Sequence, residues 1–181
     1  MNTALAASVL SQIKRFSRSR HANPPLDLNW RSQTPTGQPM KMLVATDGSK
    51  HALHAVKYAA NLVRLLRSPK TAITLISVHD DYGLRPAKAF VGSAKVADYL
   101  REESEKELKP ARRLLDAAGV RHDMEIRTGR IAQEIVKCAN EGKYDLIVLG
   151  AKGRGAVADL LLGSVSQRVL ATAKQPVILV K

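Results

Sequence analysis

From Met42 onward, short apolar runs alternate with longer stretches in which apolar residues recur every three or four positions. The first run, Met42–Thr46, reads as a strand. Ser49 behind it is a good N-cap, and Leu53, Val56, Ala60, Val63 and Leu66 then fall at helical spacing. A second strand is expected over Ala72–Val78, and a polar, glycine-containing loop around His79–Ser93 leads away from it. A long charged helix follows, about Val96–Ala118, with Gly119 placed as a C′ residue that ends it. Strand three spans roughly Arg121–Arg127, then come a short helix, Ile131–Asn140, and strand four, Asp145–Leu149. A glycine-bearing loop, a helix over Val165–Ala173 and a last strand, Val177–Val180, complete the pattern. Five strands alternating with four helices predict an α/β fold: a parallel sheet with helices on both faces.

Residues 1–39 break this rhythm. They hold four of the eight prolines, Pro24, Pro25, Pro35 and Pro39, and read as a tail and linker from about Asn23. Before that, Leu5, Val9, Leu10, Ile13 and Phe16 fall near one helical face, with Lys14, Arg15, Arg18 and Arg20 clustered after it. An acid-free amphipathic start resembles an organelle transit peptide, or a segment that lies on an anionic membrane surface. It is also what an upstream tail or a misplaced start would look like, since Met40-Lys41-Met42 stands where the domain begins. The expectation is a dispensable basic tail, 1–39, and one domain, 40–181.

The net charge of +13 divides unevenly: residues 1–39 carry five basic residues and one acidic, the domain 24 and 15. Such a surface favours anions of any kind without choosing among them. With one tryptophan, four tyrosines and two phenylalanines there is little to stack bases on, and no nucleic-acid motif appears, so a nucleic-acid partner is not expected. Cys138 stands alone, which excludes an internal disulfide and suits a reducing, cytoplasmic setting. Its spacing from Ile131 and Ile135 places it on a buried helix face. No apolar run reaches the roughly 18 residues that a membrane span needs.

The chemistry lies in Gly150-Ala151-Lys152-Gly153-Arg154-Gly155, followed eight residues later by Gly163-Ser164. Glycines after a strand let backbone N–H groups converge, and the helix behind them offers its positive end. These are the parts of a phosphate cradle. The spacing is not that of a Walker A loop, nor the G-x-G-x-x-G of dinucleotide folds. It is G-x2-G-x9-G-S, and it resembles the ATP-binding signature of the universal stress protein family. Two further blocks in the right order carry the resemblance: Met42-Leu43-Val44-Ala45-Thr46-Asp47-Gly48-Ser49 at the start, and Leu161-Leu162-Gly163-Ser164-Val165-Ser166 with Gln175-Pro176-Val177-Ile178-Leu179-Val180 at the end.

The resemblance implies a Rossmann-like sheet of strand order 3-2-1-4-5, of the adenine-nucleotide alpha hydrolase type. Winding then reverses between strands one and four, and ligands bind at the carboxyl ends of strands flanking such a point. It implies ATP, with ADP and AMP as alternatives, held together with Mg²⁺. Gly150, Gly153 and Gly163 would let the backbone approach the phosphates. Ser164 would donate its hydroxyl, and the Ser164 and Val165 N–H groups would lie at the helix's positive end. Lys152 and Arg154 would add charge. Asp47 would help to hold the adenosine end, with Ala45 standing where some relatives carry proline and Thr46 beside it. The backbone of Val78 would read the adenine edge, and Leu149 would pack beside the nucleoside. Plainer roles exist for each: an N-cap for Ser164, an Asx-turn for Asp47, turn chemistry for the glycines, core packing for Val78 and Leu149.

His51, His54 and His79 read as solvated histidines, because two histidines three apart lack a third ligand at tetrahedral spacing. Asp80, Asp81 and Asp159 read as solvated loop charge, with Mg²⁺ ligation as the alternative. No Ser-His-Asp order or G-x-S-x-G elbow supports acyl transfer. The functional expectation is a nucleotide-dependent regulatory module acting through protein partners, and a homodimer through the last strand. A slow ATPase or self-phosphorylating enzyme, and a nucleotide-free interaction protein, are the alternatives.

Overall fold

The apolar run beginning at Met42 forms the middle of a sheet in the computed structural model, which describes residues 40–66, 71–80, 89–90, 92–155 and 162–181. The strands are β1 (Lys41–Ala45), β2 (Ala72–His79), β3 (His122–Thr128), β4 (Leu146–Gly150) and β5 (Val177–Val180). Between them run α1 (Lys50–Leu66), α2 (Ser93–Ala117), α3 (Ile131–Glu141) and α4 (Ser164–Thr172). The strand order is β3-β2-β1-β4-β5 and every pairing is parallel, as the resemblance implies. Element boundaries fall within a residue or two of the sequence reading, except that α2 begins three residues earlier, at Ser93. The tail at 1–39, and Asp81 and Asp159, lie outside the described residues.

Strands covered on both faces lose the alternation of half-buried ones, which is why β1 and β4 read as continuous apolar runs. All five residues of β4 are buried. Met42, Val44, Ile73, Leu75, Leu146 and Val148 face α1 and α2, while Leu43, Ile76, Ile147 and Leu149 face α3 and α4. Cys138 lies in this second layer, 3% exposed, as its spacing predicts. Among the described residues no helix is long and apolar enough to cross a membrane.

Helix α1 meets expectation only in part: of the periodic set, Val56 and Ala60 are buried. Its inner face is Ala52, Ala55, Val56, Ala59 and Ala60, whereas Leu53 and Val63 are only partly covered and Leu66 is 42% exposed. Small side chains bring the helix axis close to the sheet, and the leucines are displaced to the flank. Helix α2 continues through Pro110, whose ring leaves the Lys106 carbonyl without its helical N–H donor.

The end of α2 follows the sequence reading. Gly119 takes φ +65°, its N–H bonds the Asp116 carbonyl at 3.0 Å, and the Val120 N–H bonds the Leu115 carbonyl at 3.0 Å. That is a Schellman stop, and it turns the chain into β3. A side chain at Gly119 meets no neighbour within 4 Å, so the backbone angle alone sets the penalty. Gly119→Ala should therefore lower the unfolding free energy by about 1 kcal/mol in denaturant titration, with an unchanged m-value.

Candidate functional site

β1 pairs with β2 on one side and β4 on the other, so the connections leaving their carboxyl ends diverge and open a cleft. Its volume is about 390 Å³. It is lined by all twelve residues that the sequence marks: Ala45, Thr46, Asp47, Val78, Leu149, Gly150, Lys152, Gly153, Arg154, Gly163, Ser164 and Val165. A wider groove of about 790 Å³ between α3 and α4 shares Ser164 alone with this cleft and gathers none of the other motif residues.

The β1 exit is a chain of short-range hydrogen bonds. Thr46 Oγ1 accepts the Gly48 N–H at 3.2 Å and Asp47 Oδ1 accepts the Ser49 N–H at 3.0 Å. Ser49 Oγ then accepts the Ala52 N–H at 3.2 Å, the N-cap that the sequence predicts for α1. The second oxygen of Asp47 reaches across the fold and accepts the Arg154 N–H at 3.0 Å. The Asx-turn role of Asp47 is thus realised, and the same carboxylate ties the turn to the glycine loop. Burial alone would raise the Asp47 carboxyl, but the bonds from Ser49 and Arg154 outweigh it and hold the group below its ordinary value.

The glycines serve neighbouring protein atoms before any ligand. A Cβ on Gly150 would lie 2.8 Å from the His51 carbonyl carbon and 2.9 Å from the Ala52 nitrogen, so its absence admits the first turn of α1. One on Gly153 would lie 2.7 Å from Asp47 Oδ2. One on Gly163 would make ordinary contacts of 3.6 Å with the loop backbone. Further bonds hold the described part of the loop: Ala151 N–H to Val180 O at 2.7 Å, Gly163 N–H to Ala151 O at 2.8 Å, and Ser166 Oγ to Gly150 O at 2.8 Å.

Gly163, not Ser164, is the N-cap of α4, and no side chain caps it. Ser164 is the first residue inside the helix. The first intrahelical bond runs from the Gln167 N–H to the Gly163 carbonyl, so Ser164, Val165 and Ser166 have no acceptor within the helix for their N–H groups. The positive end of α4 therefore points at the cleft, while Ala45, Ile76, Val78, Ile131, Ile135 and Leu149 supply apolar walls.

Beyond those marked by the sequence, three polar lining residues make contacts that shape the cleft. Glu107 projects from α2 and is only 7% exposed, its carboxylate accepting the Ser77 hydroxyl at 2.9 Å and pairing with the Arg154 guanidinium. His79 is not solvated: its ring is 19% exposed, with Nε2 lying 3.2 Å from Glu107 Oε2. Burial first, and the nearby Arg154 cation second, push its imidazole below the ordinary value. Ser166 is the third, through its bond to Gly150. The signal for Glu107 was its place in the stripe Leu100, Ser104, Glu107, Leu108, Ala111, Leu115, all buried. Among the described residues no group of three or more His, Cys, Asp or Glu is placed to hold a metal.

Asp47→Asn presents an amide N–H to a backbone N–H that now finds an acceptor, and should cost about 1–3 kcal/mol at neutral pH. Because the folded carboxyl lies below its unfolded value, its contribution is present above the ordinary carboxylate range and lost as pH falls through the folded value. The stability gap between wild type and variant, read by denaturant titration across acid pH, should narrow accordingly.

Comparison with known proteins agrees with this architecture. The profile of the universal stress protein family matches residues 39–181. A universal stress protein of Methanocaldococcus jannaschii is 37% identical over 142 residues, covering 78% of this chain and 81% of its own. The solved structure of a hypothetical protein, MJ0577, of that organism superposes with a TM-score of 0.68 at 27% identity, over 78% of this chain and 95% of that one. A universal stress protein crystallised in complex with cAMP gives 0.58 at 26% identity, over 78% and 97%. With a family profile spanning nearly four-fifths of its length, a relative above one-third identity and the matching sheet order, this chain belongs to the universal stress protein family.

Proposed function

We propose that the cleft between β1 and β4 binds an adenine nucleotide, ATP with Mg²⁺, and that occupancy switches a regulatory module acting through protein partners. The observation that carries this reading is the mixed chemistry of the cleft lining: apolar side chains together with the N-terminus of α4. A related protein that binds cAMP, 26% identical over most of its length, supports the adenine class.

On this reading Val78, Leu149 and Ala45 flank the nucleoside, and the N–H groups of Ser164 and Val165 receive a phosphate. Lys152 lines the phosphate side. Both Asp47 oxygens already accept backbone N–H groups, so a ribose hydroxyl would use a remaining lone pair. Gly150 and Gly153 shape the loop around Asp47 and α1, and their part in phosphate binding is to keep that loop where it is. Mg²⁺ would come with the nucleotide and neutralise phosphate charge, since among the described residues no cluster of three or more His, Cys, Asp or Glu is placed to hold it. A bound ligand shifts the loop and α4 toward whichever arrangement it contacts best, which is what a switch requires.

The separating experiment is Ser164→Glu. A carboxylate in the first turn of α4 favours the helix by about 0.3–1 kcal/mol, yet it repels phosphate from the same N–H groups. The variant should keep or raise its melting temperature while Mg²⁺-ATP affinity falls at least about tenfold, a loss of roughly 1.4 kcal/mol. Mass spectrometry of nucleotide released on denaturation would identify the natural occupant. Absence of nucleotide from the wild type, with none taken up on titration, would favour an interaction module instead.

We also propose a homodimer through β5. Among the described residues this strand pairs with β4 alone, and its Pro176 and Val180 carbonyls are turned toward β4. In a parallel ladder Val177 and Leu179 then face the open edge, an apolar strand with backbone groups to satisfy. Sedimentation equilibrium should give twice the chain mass, and a monomer at micromolar concentration would end this proposal.

A further inference from the structure

Glu107 and Arg154 form an ion pair of unequal partners. The carboxylate is 7% exposed and fixed on α2 by the Ser77 hydroxyl, whereas the Arg154 side chain is 56% exposed and sits on a loop. The Arg154 side chain therefore has room to move into solvent, and Glu107 cannot follow. A phosphate arriving at the N-terminus of α4 comes within the same cleft and competes for that guanidinium. Losing it would strand a buried carboxylate, which is strongly unfavourable unless another cation replaces it.

The replacement is already in place. His79 Nε2 lies 3.2 Å from Glu107 Oε2, on the opposite side of the carboxylate from Arg154's contact with Oε1. The charged and titratable groups around the ring are Glu103 and Glu107 from α2, Arg154 from the loop after β4, and Asp80 next in its own chain. Asp47 and Lys152 line the same cleft. β3 meets His79 through Thr128 and the Gly129 N–H, which carry no charge. With Arg154 withdrawn, the ring loses the one close cation among the described residues and keeps acidic neighbours.

Resting on the nucleotide reading above, we propose that nucleotide binding is coupled to uptake of a proton by His79. The ligand's phosphate draws Arg154 off Glu107, and the imidazolium, protonated from solvent, takes its place. At present burial and Arg154 keep the ring below its ordinary value, so the free protein holds it neutral near pH 7. The pKa of the bound state is the higher one. Affinity then climbs as pH falls through the window between the two values, by up to about tenfold per pH unit.

The test uses the full chain with Mg²⁺-ATP and, separately, AMP. Calorimetry in buffers of differing ionisation enthalpy counts protons, and the difference between wild type and His79→Gln removes any contribution from the nucleotide's own phosphate. The expected difference approaches about one proton per nucleotide. In parallel, the His79 ring resonance in the wild-type protein should titrate at a pH higher by about one unit or more when ligand is present. The spectroscopic arm stands even if the variant does not fold. No binding of either nucleotide overturns this inference together with the reading it rests on. Binding with equal proton counts in both proteins, and an unmoved His79 titration, overturns this inference alone.

Discussion

The Asp47 carboxylate accepts one N–H from its own turn and another from Arg154, 107 residues later in the chain. This pair of bonds sets the distance between the β1 exit and the glycine loop, and the local glycines follow from it. Gly153 has no room for a Cβ because Asp47 Oδ2 occupies the space, and Gly150 has none because the first turn of α1 does. A spacing that reads as phosphate chemistry is thus in large part a packing code. The donors that remain open to a ligand are one step further on, at the start of α4.

The charge of the cleft is not the charge of the protein. The chain carries +13, yet the cleft lining sets Asp47, Asp80 and Glu107 against Lys152 and Arg154. Among the described lining residues formal charge runs slightly negative, so these side chains alone do not hold the anions that net charge draws to the surface. An anion in the cleft has to be held by oriented N–H groups and by cations it brings or recruits. A helix terminus suits this, because its donors are fixed in direction and need no counter-charge of their own.

Most of the fold was legible because the sheet is covered on both faces, which writes β1, β2, β4 and β5 as apolar runs with turn residues between them. The twelve marked residues converge because the reversal of winding at β1 and β4 was implied along with their motif. What escaped was tertiary. Glu107 is embedded among Glu102, Glu103, Glu105 and Lys106, and composition hides a buried acid in a run of exposed ones. Its position in the stripe of α2 distinguishes it, but a stripe does not say that the side chain will meet Ser77 and Arg154. The N-cap that stood as the plainer role for Ser164 falls to Gly163, since propensity ranks serine above glycine but the extended conformation lies one residue earlier. On α1 the periodic set caught Val56 and Ala60 but not Ala52, Ala55 and Ala59, since periodicity weighs hydrophobicity and not the closeness of approach that small residues permit.

The central position of β1 governs how the chain must come together. Its first residue binds Asp145, 104 positions away, and its partner β4 is made only after three strands and three helices have left the ribosome. Pairing of such sequence separation pays its loop-closure entropy late and slows folding. Until β4 arrives, one long side of β1 is an open ladder carrying Met42, Leu43 and Val44, a hazard for association between nascent chains. The cleft, lying at the β1–β4 seam, can form only with this late closure. A chain able to fill it has by that fact joined the two halves of its sheet.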